Sequence, residues 1–182
     1  MVTFISSFVF AGVLSAYIFL GRGLSRQVNA EGLESRSRLA LSYFTQDVSS
    51  ANSITAQNPG TQTTGNQMVL SIPGLSPVTY RCDWSLGTTA GVLKRQVGSS
   101  GPWLVLLTNL TSFGMQYFDS TTHSITVPTV APTSPQNDIK QVCMTYTSSA
   151  GYAPSGNVSR FTVVSPLVIL KNKGLLTDPN SP

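Results

Sequence analysis

The stretch that decides the fold is residues 1–51, MVTFISSFVFAGVLSAYIFLGRGLSRQVNAEGLESRSRLALSYFTQDVSSA. No charged side chain occurs from Met1 to Gly21, and a membrane crossing needs about 20 apolar residues. A secretory signal peptide would place its basic residues before a shorter apolar run. Here Arg22 and Arg26 follow the run, so an ordinary signal peptide fits the sequence poorly.

The helical pattern continues beyond this apolar run. The first 58 residues contain no proline, and residues at spacings of three and four form a stripe of Leu33, Ser37, Leu41, Phe44, Val48 and Ala51. Leu24 and Val28 extend the stripe toward the apolar run. We therefore predict one helix from about residue 2 to about residue 50, with Gly21 and Gly23 as the place where it bends or melts.

After residue 55 the pattern changes to short β-rich runs separated by clusters of Gly, Pro, Ser and Asn. The predicted strands are residues 68–72, 78–84, 92–97, 103–107, 112–118, 139–147 and 160–170. Residues 120–137, which contain three prolines, are predicted to form a long loop. Short connections without intervening helices indicate an antiparallel sheet.

One face of such a sheet must be covered, and the helical stripe is the candidate for covering it. The predicted fold class is therefore α+β, with a long N-terminal α-helical spine packed on an antiparallel β-sheet head. Residues 1–21 form a hydrophobic transmembrane or filament-core segment, residues 22–52 its amphipathic continuation, and residues 53–182 the β-rich globular head.

Composition excludes several classes of protein. The chain is 41% hydrophobic and only 10% charged, which fits neither a disordered chain nor a long coiled coil. Its net charge is +4, but the basic residues are scattered and form no specific nucleic-acid site. The single histidine, His123, has no partner at metal-ligand spacing, and no catalytic serine motif occurs. We predict that the protein is not an enzyme and uses no metal or cofactor.

Several segments together suggest a family. They are SRLALSYFTQDVSSANSI on the helix, followed by VTYRCDW, GVLKRQV, WLVLLTNLTSFGMQYFD and IKQVCMTYT. With the two-part helix and the β-rich remainder, they resemble the type IV pilin superfamily. Within it they are most similar to minor pilins and to J-type minor pseudopilins of type II secretion.

The resemblance implies how the helix is processed and used. A prepilin peptidase would cut before Met1 and methylate its amine, although Met1 as an initiator methionine on an ordinary signal-anchor helix is the alternative. The filament-core helix would include Ile5, Ser6, Phe8, Ala11, Gly12 and Ser15. Most members carry glutamate where this chain has Ile5, which favours a minor or tip-proximal subunit. Many also carry proline where Arg22 stands.

The function implied by the resemblance is structural. The chain would be held in the bacterial inner membrane by a single pass, then packed with other copies or other pilin subunits into an extracellular or periplasmic filament by the pilus assembly machinery. The alternatives are a tip adhesin or DNA-binding module, and a membrane-anchored periplasmic domain that forms no filament. Whether the subunit is major or minor, and whether it belongs to a pilus or a pseudopilus, stays open.

Export would also affect the two cysteines. Cys82 and Cys143 each lie within a predicted strand, and an oxidising compartment favours a disulfide between them. The alternative is a pair of small buried thiols.

Overall fold

The computed structural model describes residues 2–57, 67–84, 90–127, 136–150 and 158–171. A single α-helix, α1, spans Val2–Ser50, as the sequence predicted. Gly21 and Gly23 both lie inside this helix. Bending or melting at these glycines stays a prediction.

The rest of the described chain is strands joined by turns. They are β1 (Ser53–Gln57), β2 (Gln67–Ser71), β3 (Val78–Trp84), β4 (Gly91–Val97), β5 (Trp103–Phe118), β6 (Ser124–Ile125), β7 (Gln141–Ala150), β8 (Ser159–Val164) and β9 (Val168–Ile169). All observed pairings are antiparallel, which confirms the α+β class with an antiparallel sheet.

In two places the structure divides the chain into strands differently from the prediction. Residues 103–107 and 112–118 belong to the single strand β5, which continues between them with irregular register, as in β-bulges. Asn109, in this irregular part, has a φ of 56°. Residues 160–170 are split into β8 and β9, although Ser165 between them still donates its N–H to the carbonyl of Met144. Strands β1 and β6 were not predicted, because each is short and β1 is largely polar.

The sheet has the strand order β1-β2-β3-β4-β5-β7-β8, with β6 on β5 and β9 on β7. Its strands succeed one another along α1. Near the N-terminal end of this contact, Ser159 of β8 hydrogen-bonds the carbonyl of Arg26. Further along, Asp47 binds Arg95 of β4, and Asn52 just beyond the helix donates to Ser71 of β2. Strand β8 therefore lies closest to the apolar run, and β2 lies at the far end of the helix.

The head is built around the C-terminal half of α1. Its buried face consists of Leu33, Ser37, Ala40, Phe44, Asp47, Val48 and Ala51. Two parts of the predicted stripe need correction. Leu41 is only half-buried, since Ala40 takes its place against the sheet. Leu24 and Val28 are exposed and take no part in the buried face, although β8 reaches the helix backbone between them at Arg26.

The predicted disulfide is wrong, because Cys82 and Cys143 are both free, buried thiols. Cys82 lies on β3 and Cys143 on β7, with β4 and β5 between them. Three steps from one strand to the next therefore separate the two residues, a distance of about 14 Å. A disulfide needs Cα atoms within about 7 Å. The side chains also point to opposite faces of the sheet. Tyr80 and Tyr146 both contact the helix, so their side chains lie on the helix face. Cys82 is two residues from Tyr80 and shares that face, whereas Cys143 is three residues from Tyr146 and lies on the other face.

Candidate functional site: the exposed apolar segment of α1

Side chains are described from Ser7 onward, and we call residues 7–21 the apolar segment. Its large side chains are uncovered: Phe8 is 80% exposed, Phe10 76%, Tyr17 77% and Phe19 78%. Val9, Val13, Leu14, Ile18 and Leu20 are exposed as well. The core helix of a water-soluble protein would bury at least one side of such a segment, and here none of it is buried.

Apolar side chains surround this part of the helix on all sides, without a polar face. A helix that is hydrophobic all round requires an apolar environment all round. The chain thus has one N-terminal helix that is long and apolar enough to span a membrane. This helix continues without interruption into the core of the head, whereas a signal peptide is removed from the mature protein.

The structure also places the predicted filament-core residues. Phe8, Ala11, Gly12 and Ser15 lie exposed on the apolar segment, and a Cβ added at Gly12 would meet no atom within 4 Å. Small residues at such positions let two helix backbones approach closely. Met1 lies outside the described residues, as do the side chains of Ile5 and Ser6, so their predicted roles stay predictions.

An ion pair between a buried carboxylate and a half-buried guanidinium joins α1 to the sheet. Arg95 of β4 donates from Nε to Oδ2 of Asp47 at 2.7 Å and from a terminal guanidinium nitrogen to Oδ1 at 3.0 Å. Tyr80 of β3 donates its hydroxyl to Oδ2 of the same carboxylate at 2.6 Å. We call Asp47, Tyr80 and Arg95 the spine clamp. A two-pronged guanidinium–carboxylate contact fixes orientation as well as distance, so the clamp fixes how the head sits on the helix.

Aromatic rings enclose the spine clamp. The guanidinium of Arg95 lies 5.0 Å from the centre of the Tyr43 ring, and Phe44 meets Tyr80 edge-to-face at 5.9 Å. Hydrogen bonds to Asp47 raise the pKa of the Arg95 guanidinium, and burial raises the pKa of the Tyr80 hydroxyl, with Asp47 adding to the effect. Arg95 therefore stays charged and Tyr80 stays a donor at any physiological pH.

The spacing of apolar residues along the helix does not predict the spine clamp, although the sequence contains one signal for it. Asp47 lies between Phe44 and Val48, two members of the buried stripe. A carboxylate on a buried helix face needs a cation or several donors, because an unpaired buried charge is costly. That signal predicts a basic partner on the sheet but does not say which of the scattered basic residues it is.

The described part of the chain brings no metal-binding group of side chains together. No cluster of three His, Cys, Asp or Glu side chains occurs among these residues. His123 is exposed in the turn after β5, where Thr121 Oγ1 lies 2.7 Å from its Nδ1. In the same turn the Thr121 hydroxyl, which hydrogen-bonds the carboxylate of Asp119, is the main cause of that group's lowered pKa. That the protein is not an enzyme stays a prediction.

Comparisons with protein-family models, with curated proteins and with solved structures find no match to this chain.

Proposed function

We propose that the protein is a structural subunit of a pilus or pseudopilus filament, held in the inner membrane by α1 before assembly. One observation carries the proposal: the same unbroken helix is apolar and uncovered over residues 7–21 and forms the core of the head from Leu33 to Ala51. The head therefore cannot leave the membrane without drawing the apolar segment out with it. Once outside the lipid, that segment needs another apolar environment.

The energetics support two successive environments for the apolar segment. Burying one large apolar side chain is worth about 1.5–3 kcal/mol, so exposure of the whole segment to water is strongly unfavourable. Lipid buries the apolar segment in the membrane, and the helices of neighbouring subunits bury it in a filament. Ala11, Gly12 and Ser15 supply the small side chains that close helix packing needs.

The spine clamp supports a filament role as well. In a filament held together by its helices, any load on the head reaches the helix through the contacts between them. A two-pronged ion pair resists rotation of the head about α1 better than apolar contacts alone, which are non-directional. The resemblance of residues 37–54 to the helix of minor pilins favours the same role, and Ile5 favours a minor or tip-proximal subunit.

The test is to image material sheared from cells that express the chain, and to detect the chain in it. We expect it in filaments, with a methylated Met1 in N-terminal mass spectrometry. Gly12→Leu should abolish incorporation while leaving the chain in the membrane, because the added side chain separates the packed helices. The matched control Leu14→Met keeps the side-chain volume and should be incorporated normally.

Two results would speak against the proposal. A chain that stays in the membrane fraction and never enters filaments would be an anchored domain. Normal incorporation of Gly12→Leu would show that close packing at this position is not what assembles the subunit.

A further inference from the structure

A line of uncharged, exposed side chains runs along α1 on the side away from the head. Its members recur at alternating spacings of four and three from residue 14 to residue 46, which is the heptad spacing of helices that pack side by side. They are Leu14, Ile18, Gly21, Ser25, Val28, Gly32, Ser35, Leu39, Ser42 and Gln46. We call these residues the seam, and every one of them is exposed.

The distribution of charge sets the seam apart from the rest of the helix. We letter the heptad so that Ile18 and Leu39 lie at position a and Val28 at position d. Between residues 14 and 46 the charged side chains then all lie at positions b, c, e and g. Position f is also uncharged, but it carries Ser37 and Phe44, which are buried against the head. Because position f lies opposite positions a and d, the seam faces away from the head.

The sizes of the seam side chains suit a second helix. Leu14, Val28 and Leu39 are large apolar residues that are 54%, 59% and 54% exposed. A Cβ added at Gly21 or Gly32 would meet no atom within 4 Å, so the helix backbone is open to approach there. Small residues allow two helix backbones to come close, and large apolar residues between them gain from burial.

Charged side chains beside the seam are complementary to those of a second copy. Glu31 lies at position g and Arg36 at position e of the following heptad. In a parallel pair in register these two positions meet across the helices, so Glu31 of each copy would lie beside the partner's Arg36. Glu31 accepts a hydrogen bond from Gln27 at 3.2 Å, and Arg36 donates one to Thr108 at 3.5 Å. Neither residue forms a salt bridge within the part of the chain that the structure describes.

The same charges select one register. Sliding one helix along the other by a heptad separates Glu31 from the partner's Arg36 and brings Arg38, at position g, beside that Arg36 instead. Two like charges side by side disfavour this alternative. An antiparallel pair is not available to anchored chains, because both apolar segments must enter the membrane in the same direction.

We propose that two copies of this chain pair in the membrane, parallel and in register, along the seam of α1, with Glu31 of each copy bound to the partner's Arg36. The inference rests on the membrane anchoring in the proposed function, since the anchor holds the two helices parallel. It goes beyond the filament, because a symmetric pair closes on itself whereas a filament needs an open, repeating contact. Gly12 lies at position b, off the seam, so the test of filament packing and the test of this pair use different residues.

The experiment is disulfide cross-linking of the full chain in liposomes at low protein density, with Cys82 and Cys143 replaced by alanine. Val28→Cys, on the seam, should give a cross-linked dimer on mild oxidation. Ala30→Cys is the matched control, because Ala30 is exposed on the same turn of the helix but lies at position f, facing away from the partner. It should give little dimer, since a disulfide needs Cα atoms within about 7 Å.

A charge swap tests the register. In the Val28→Cys chain, Arg36→Glu places a carboxylate beside the partner's Glu31. This change should weaken pairing about tenfold, read as the cross-linked fraction against protein density, because two attractive contacts become repulsive. Glu31→Arg should have the same effect. The double variant Glu31→Arg with Arg36→Glu has opposite charges in contact again and should recover the original yield of dimer.

The outcomes separate the pair from the anchor. Equal dimer from Val28→Cys and Ala30→Cys, or none from either, would overturn the pairing while leaving the anchoring intact, provided that the chain resists extraction from the liposomes by alkali. A chain that alkali extracts would overturn both. Charge variants that leave the yield unchanged, or a double variant that does not recover it, would overturn the contact between Glu31 and Arg36. Dimers of Val28→Cys that follow the charge swap would support the pair even in a chain that forms no filament.

Discussion

Asp47 shows how a single residue links the helix to the sheet. Its side chain is 7% exposed and that of Arg95 is 16% exposed, so the carboxylate is almost fully removed from water while the guanidinium keeps a small exposed part. Removal of one partner from a buried pair leaves the other uncompensated, which costs far more than the loss of an exposed pair.

We predict that Arg95→Gln lowers the free energy of unfolding by about 3–5 kcal/mol, because the Asp47 carboxylate keeps only the Tyr80 hydroxyl as a donor. Asp47→Asn should cost less, since Arg95 reaches solvent and still stacks on Tyr43. Urea unfolding of the full chain in detergent measures both values. Arg38→Gln, which breaks an exposed pair with Glu34, is the control and should cost less than about 1 kcal/mol. Equal losses for Arg38→Gln and Arg95→Gln would contradict the clamp.

Cys82 gives a prediction of pH dependence. Burial, reinforced by the Asp83 carboxylate, raises the pKa of the Cys82 thiol to about 12, whereas a thiol in the unfolded chain ionises near pH 8.5. A raised pKa in the folded state means that stability is complete below pH 8.5 and falls as the pH rises toward 12. The loss should approach about 1.4 kcal/mol per pH unit above 8.5.

Urea midpoints measured between pH 8 and 9.5 test this effect before tyrosines begin to ionise in the unfolded chain. Cys82→Ala should reduce the slope, whatever it does to the midpoint at pH 8. In the same samples an alkylating reagent should leave both cysteines unmodified until the chain unfolds, and a reductant should not shift the midpoint. A midpoint that shifts when a reductant is added would show that the two cysteines do form a disulfide.

At the scale of an element, β1 depends on Gln136 for its outer edge. Gln136→Ala removes the two side-chain hydrogen bonds to Ala56, each worth about 1 kcal/mol. We therefore predict about 1–2 kcal/mol of destabilisation and faster amide exchange in Ser53–Gln57. Gln116→Ala, at an exposed position of β5, is the control and should change neither quantity. Unchanged exchange in β1 after Gln136→Ala would show that the edge does not need this cover.

At the end of β8, as at β1, a side chain makes a hydrogen bond that a backbone group would otherwise make. Where the strand is interrupted, the hydroxyl of Ser165 accepts the N–H of Met144 at 2.8 Å and donates to the carbonyl of Pro166. The ladder with β7 thus continues past a proline that cannot donate. A strand predicted as one run is in this way divided into β8 and β9 without leaving the edge of the sheet.

At the scale of the whole molecule, α1 divides into a part that the head needs and a part that it does not. The buried face of the helix begins at Leu33, and residues 7–21 contribute nothing to the core. We predict that a variant lacking residues 1–25 is monodisperse in water and keeps the circular dichroism of the head. The full chain should require detergent or lipid. Aggregation of the shortened chain, or a full chain soluble in plain buffer, would contradict this division.

The sequence by itself determined the elements. Helix α1 and most strands follow from local periodicity, because the side chains of a helix or strand repeat at fixed angles whatever the element later contacts. The absence of charge before Arg22 likewise identified the apolar segment directly, since a solvent preference belongs to the residues themselves.

Only the tertiary structure decided what meets across the fold. Spacing alone could not choose between Ala40 and Leu41, and the small side chain of Ala40 lies inward where the helix approaches the sheet. It could not tell that Cys82 and Cys143 lie on opposite faces, or that Arg95 rather than another basic residue reaches Asp47. These outcomes depend on strand order and on the angle at which α1 crosses the sheet, and both are set by contacts between residues that are far apart in the chain.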